Sequence, residues 1–147
     1  MKQAAIAVTL AALAGSAAAN EVSGSFEVSV KPVPGEVRAN DSRGRMVFDK
    51  TFSGPLSGKS EGEMLTAGSP KTGSGGYVAL ERFEGELEGR KGSFVMQHSG
   101  IMESGKYELD IKIVPDSGTG QLSGIRGSAK ITIAGGKHFY ALNYTLP

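Results

Sequence analysis

The sequence predicts an all-β protein: a single eight-stranded antiparallel β-barrel, preceded by a cleavable N-terminal signal segment. Three observations predict the fold. Beyond Asn20, apolar residues recur at every second position, the period at which strand side chains share a face. No stretch in that region keeps a helical period for more than a turn. Glycine is abundant, 22 residues among 147 with 6 prolines and no tryptophan, and it falls largely between the alternating runs, as turns joining short strands require.

Residues 1–19 read MKQAAIAVTLAALAGSAAA, with one lysine near the start, an apolar run over 4–14 and a small-residue segment at the end. Each part matches a secretory signal, and Ala17, Ala18 and Ala19 offer the small side chains that a signal peptidase reads, so cleavage is expected before Asn20. The apolar run is well short of the ~20 residues of a membrane-spanning helix. The mature protein is therefore expected to be extracytoplasmic, periplasmic or secreted, and free of the membrane after cleavage.

The strands follow in order. Residues 25–31 place Phe26, Val28 and Val30 opposite Glu27 and Ser29, and stop at Pro32 and Pro34. Residues 45–52 group Met46, Phe48 and Phe52 against Arg45, Asp49 and Thr51. A weaker run, 61–67, centres on Met64 and Leu65. The Gly-rich loop 73–76 leads into the strand 77–87, the turn 88–92 into 93–102, and Ser104 with Gly105 into 106–114. That last strand alternates most cleanly, with Tyr107, Leu109, Ile111 and Ile113 on one side and Glu108, Asp110 and Lys112 on the other. After the loop DSGTG, residues 121–134 form a strand broken near Gly124 and Gly127, and Gly135 and Gly136 turn the chain into 138–146.

Eight evenly spaced strands with short turns make an antiparallel meander. Such a sheet closes on itself or splits into two packed layers, because open edges invite aggregation. Closure is the preferred reading, with Gly62, Gly85, Gly124 and Gly127 as the bends of a small barrel; a jelly-roll sandwich is the alternative. A barrel of this size is filled by side chains or holds one small ligand.

Residues 20–147 suit one domain. The whole chain has 16 Lys plus Arg against 15 Asp plus Glu, and removing Lys2 with the signal leaves 15 against 15. A neutral chain lacks the basic excess on which nucleic-acid binding draws. With no cysteine, disulfides, thiolate catalysis and Cys-based metal sites are excluded.

The run LERFEGELEGRKGSFVMQHSG, residues 80–100, resembles a bacterial family known as domain of unknown function 3224. Supporting stretches lie on both sides: FSGPLSGKSEGEML over 52–65, VPDSGTGQLSGIRG over 114–127, and YALNYTL over 140–146. The resemblance covers nearly all of the mature chain. It implies a closed barrel similar to that of plant allene oxide cyclase, within a wider group that includes dirigent-like barrels. It implies no activity, and no catalytic residue carries over from allene oxide cyclase, because no catalytic motif matches position by position.

Alternation puts Tyr77, Ala79, Glu81 and Phe83 on one face of their strand, and Phe94, Met96 and His98 on one face of the next. Their apolar company marks that face as interior. Glu81 and His98 are then the catalytic candidates, since burial shifts the pKa values of acid and base groups. The structural alternative is that the two satisfy each other, or Arg82, Gln97 or a backbone group. Candidates for ligand contact are Tyr77, Glu81, Phe83, Met96, His98 and Tyr107. His138, beside a turn, is expected to be exposed. No metal or other cofactor is expected: two histidines and a carboxylate have no spacing that makes them converge, GSGG at 73–76 and GTG at 118–120 precede no helix, and no GxSxG elbow is present. Two functions compete. One is a non-catalytic exported barrel that binds a small apolar or amphipathic ligand or a protein partner. The other is an isomerase, cyclase or lyase using Glu81 and His98, which requires both to line one accessible cavity. Homo-oligomerisation through the outer wall is a further possibility.

Overall fold

In the computed structural model, residues 17–35, 42–69 and 71–147 are described. The expected signal segment, 1–19, lies outside them except for 17–19. Among the described residues there are eight strands: β1 (Asn20–Pro32), β2 (Arg43–Ser53), β3 (Leu56–Ser69), β4 (Ser74–Leu87), β5 (Arg90–Glu103), β6 (Lys106–Ile113), β7 (Arg126–Ala134) and β8 (Lys137–Thr145). They close into a barrel in sequence order, each antiparallel to the next. β1 completes the ring by pairing with β8, from Asn20↔Tyr144 to Phe26↔His138. Closure, not the two-layered alternative, is the outcome.

Three of the connections are two-residue hairpins: Glu88–Gly89 (φ 49° and 81°), Ser104–Gly105 (51° and 77°) and Gly135–Gly136 (58° and 75°). Positive φ at both positions is the type I′ turn, whose twist matches that of the flanking strands. Glycine meets the second of these positions in every case.

Three elements start five residues from where the sequence places them, the first being β1, which begins at Asn20 instead of 25 because residues 20–26 pair with β8. β3 starts at Leu56 instead of 61, because the run SGKSEG pairs on both sides, with β2 and with β4, and two ladders hold a segment whose own strand pattern is weak. The expected strand 121–134 begins only at Arg126. Before it, Gly120–Leu122 form a 3₁₀ turn that drives Leu122 and the nearby Ile125, both without exposed surface, into one end of the barrel.

That end is the packed one. Phe83, Leu87 and Phe94 are fully buried there with Leu122 and Ile125, and the rings of Phe83 and Phe94 lie 5.1 Å apart, within the range of favourable aromatic pairing. The Tyr140 hydroxyl accepts from the Leu56 N–H at 3.0 Å and donates to the Leu56 carbonyl at 3.2 Å, tying β8 to the β2–β3 turn. The opposite end is looser. β6 and β7 pair only through Ile111↔Ala129 and Lys112↔Ser128, so the wall splays between them where Tyr107 and Leu109 face Ile131 and Ile133. On the outer wall, Leu65 and its cross-strand partner Val78 stand exposed beside Leu80.

Candidate functional site

The loose end of the barrel encloses a cavity of about 410 Å³, within the size range of small-molecule sites. Its apolar wall comes from every second residue of β1 (Phe26, Val28, Val30), from Phe48 of β2 and Met64 of β3, and from the splayed pair β6 and β7 (Leu109, Ile131, Ile133). Period-two alternation is the cause: on β1, β2, β3 and β6 these positions share a face with a buried core residue along the strand, and on β7 with the half-buried Ala129. The polar groups on the wall are Lys50, His98, Tyr77, Tyr107 and His138.

Beneath the cavity lies a buried polar cluster built by cross-strand register. Lys50 of β2 pairs with Ser60 of β3, and Ser60 lies diagonally next to Glu81 of β4, whose direct partner is Gly62. Diagonal neighbours are within reach of long side chains, and Lys50 reaches across β3 beside the small Ser60 to Glu81; Gly62, directly opposite Glu81, carries no side chain. The Phe48 ring occupies the space above that glycine; a Cβ there would sit 2.3 Å from Phe48 Cζ. His98 of β5 is opposite Ala79 and diagonal to Glu81.

Glu81 is the hub, with no exposed surface. Lys50 Nζ donates to its Oε2 at 2.7 Å, the Ser60 hydroxyl donates to its Oε1 at 2.5 Å, and His98 Nε2 lies 2.8 Å from Oε2. The His98 contact is short but misaligned, so Nε2 remains a buried nitrogen without a properly directed hydrogen-bond partner. Burial alone pushes the Glu81 carboxyl upward, but the contacts with His98, Lys50 and Ser60 together outweigh it and hold the group below the ordinary glutamate value. A carboxylate with several donors favours its charged form in this way. The Lys50 ammonium also faces three phenylalanine rings, Phe26 at 4.9 Å, Phe48 at 5.2 Å and Phe52 at 5.8 Å, where ring quadrupoles attract a cation.

At the mouth, the Tyr107 hydroxyl donates to that of Tyr77 at 3.2 Å. Burial, the bond to Tyr107 and the nearby negative charge of Glu81 together raise the Tyr77 pKa well above the ordinary tyrosine value, so Tyr77 is a neutral hydroxyl at physiological pH.

Of the six residues singled out from sequence for ligand contact, Tyr77, His98 and Tyr107 line the cavity. Phe83 and Met96 point inward but lie deeper, buried in the packed half with the main core. Glu81 also points inward, yet only Lys50 and His98 stand between it and the cavity; it does not itself line the wall. His138, expected to be exposed, is half-buried and turned inward, its ring 5.2 Å from that of Phe26, because the closing β1–β8 pair sets it opposite Phe26. Sequence reasoning passed over Lys50 and Ser60. Lys50 had a detectable signature, since it shares the parity of Met46, Phe48 and Phe52; Ser60 had none short of the register. Among the described residues no group of three His, Asp or Glu side chains is arranged to hold a metal ion.

No curated protein matches the chain. A crystal structure of a protein of unknown function from Shewanella oneidensis MR-1 superimposes with a TM-score of 0.79 and 42% sequence identity, over 88% of this chain and 100% of that one. It is described as a member of the DUF3224 family. The model of that family, proteins of unknown function, matches residues 22–144, which reach from β1 into β8, and the chain therefore belongs to the DUF3224 family.

Proposed function

We propose that the protein is an exported binding module that holds a small amphipathic molecule in the mouth of its barrel, without chemical conversion. The observation that supports it is the cavity: an apolar pocket of about 410 Å³ with a few polar groups on its wall, the pattern of a site that grips a ligand body by burial and orients it by a few polar contacts. Conversion is disfavoured by the state of Glu81. Both of its oxygens are already engaged and its side chain is sealed from the cavity, whereas a general acid or base must reach the atom whose proton it moves.

Export rests on the composition of residues 1–19. Native mass spectrometry of the protein purified from the periplasm or medium of its own host tests both parts. The expected result is a chain starting at Asn20 with an added small mass that denaturation releases. A bare chain that also fails to bind any amphipathic probe would refute the binding reading, and retention of residues 1–19 would refute cleavage. The same spectra address a second reading, self-association through the outer wall, favoured by Leu65, Val78 and Leu80 at 60%, 53% and 57% exposure. Contiguous exposed apolar surface of this kind marks contact sites, and a monomer at micromolar concentration would rule it out.

A further inference from the structure

We propose that the ligand's polar end is an anion, seated against Lys50 and His98 with its apolar body filling the mouth; this deepens the binding reading above and rests on it. Among the described residues, Lys50 is the only permanently charged side chain that lines the cavity and no carboxylate does, and the other polar groups there, Tyr77, Tyr107, His98 and His138, can each donate a hydrogen bond. The counter-ion Glu81 has no exposed surface and its oxygens are taken, so the positive end of the buried ion pair is the end that faces the ligand.

Lys50 also has donors to spare. An ammonium carries three N–H groups, of which Glu81 accepts at 2.7 Å. Among the described residues no other acceptor meets it, and its remaining close neighbours are the faces of Phe26, Phe48 and Phe52. Those rings stabilise the charge without supplying a lone pair. His98 also lines the wall, with its Nε2 2.8 Å from Glu81 Oε2. Buried donors without acceptors are costly, and a carboxylate or similar oxyanion entering from the mouth supplies acceptors for the remaining N–H groups of Lys50. A cationic end would instead meet Lys50 in surroundings of low dielectric, where like charges repel strongly.

The test uses the mature chain and a matched naphthalene series, naphthoate, naphthalenemethanol and naphthylmethylammonium, by isothermal titration calorimetry. Naphthoate is expected to bind about tenfold or more tightly than the alcohol, the factor set by a hydrogen bond to a charged group, with the ammonium weakest. In Lys50→Met/Glu81→Gln, which removes both charges and preserves the net charge, the preference for naphthoate over the alcohol is expected to vanish. An alcohol or ammonium that binds as tightly as naphthoate overturns the anionic assignment and leaves binding intact. Undiminished anion preference in the double variant overturns the role of Lys50. Failure of all three probes overturns the binding reading, and the head-group assignment with it. The three-way comparison on the parent protein stands even if the double variant does not fold.

Discussion

Removing Lys50 while leaving Glu81 should unfold much of the stability margin, and removing both should not. Lys50 Nζ lies 2.7 Å from Glu81 Oε2, with the two side chains 7% and 0% exposed. At an effective dielectric of ~20, unit charges at that distance attract by ~6 kcal/mol. Desolvating two ions costs several kcal/mol each, so the pair as a whole is close to neutral for stability. The two halves are not independent, however. Lys50→Met strands a carboxylate in the interior with only the Ser60 hydroxyl and His98 for company, and breaking a buried pair in this manner costs about 3–5 kcal/mol. His98, already 2.8 Å from Oε2, provides partial compensation, which puts the expectation near the lower end, ~3 kcal/mol. That is a large share of the 5–15 kcal/mol typical of a domain. In Lys50→Met/Glu81→Gln the amide keeps an oxygen for Ser60 and carries no charge, and stability should return to within ~1 kcal/mol of the parent. Urea unfolding at neutral pH, followed by far-UV circular dichroism and by the emission of the 4 tyrosines in a chain without tryptophan, gives both values. A Lys50→Met variant within ~0.5 kcal/mol of the parent, the range of ordinary surface changes, would refute the buried pairing.

Further outcomes follow from the same geometry. Because the folded-state pKa of Glu81 is depressed, its contribution is fully present above the ordinary value of 4.5 and is lost as pH falls through the lower folded value; urea midpoints should therefore drop on acidification more steeply for the parent than for Lys50→Met/Glu81→Gln, and parallel curves would contradict this. Phe83→Ala, at a site with no exposed surface between the rings of Phe52 and Phe94, should cost about 3–5 kcal/mol, whereas Phe139→Ala on the outer wall, 39% exposed, should cost under ~1 kcal/mol. Equal losses in urea unfolding would invert the assignment of inner and outer faces. Gly62→Ala places a methyl 2.3 Å from Phe48 Cζ and 2.7 Å from the Leu80 carbonyl oxygen, and should destabilise by about 1–3 kcal/mol through overpacking; an unchanged midpoint would show that Phe48 does not rest on that glycine.

A plug at one end and a short seam at the other explain why the barrel is packed at one end and open at the other. Leu122 and Ile125 plug the far end from the β6–β7 connection, while the two-pair seam between β6 and β7 leaves the near end open. Apolar residues that a tighter seam would cover, Tyr107 at 53% and Ile133 at 66% exposure, stand at the entrance as a consequence.

Side-chain alternation along a strand is a local property, and so the sequence alone determined the inward face of the central strands, with Tyr77, Glu81, Phe83, Met96 and His98 on it and Tyr107 on the same side as Leu109, Ile111 and Ile113. The turns were legible for the same reason, since Ser104–Gly105 and Gly135–Gly136 carry their conformational requirement within two residues. What alternation cannot express is depth along the barrel axis or the identity of a neighbour on the next strand, because both depend on register between segments far apart in the chain. Register put Phe83 and Met96 in the packed half and Tyr77 and His98 at the cavity, turned His138 inward opposite Phe26, and brought Lys50 and Ser60 to Glu81.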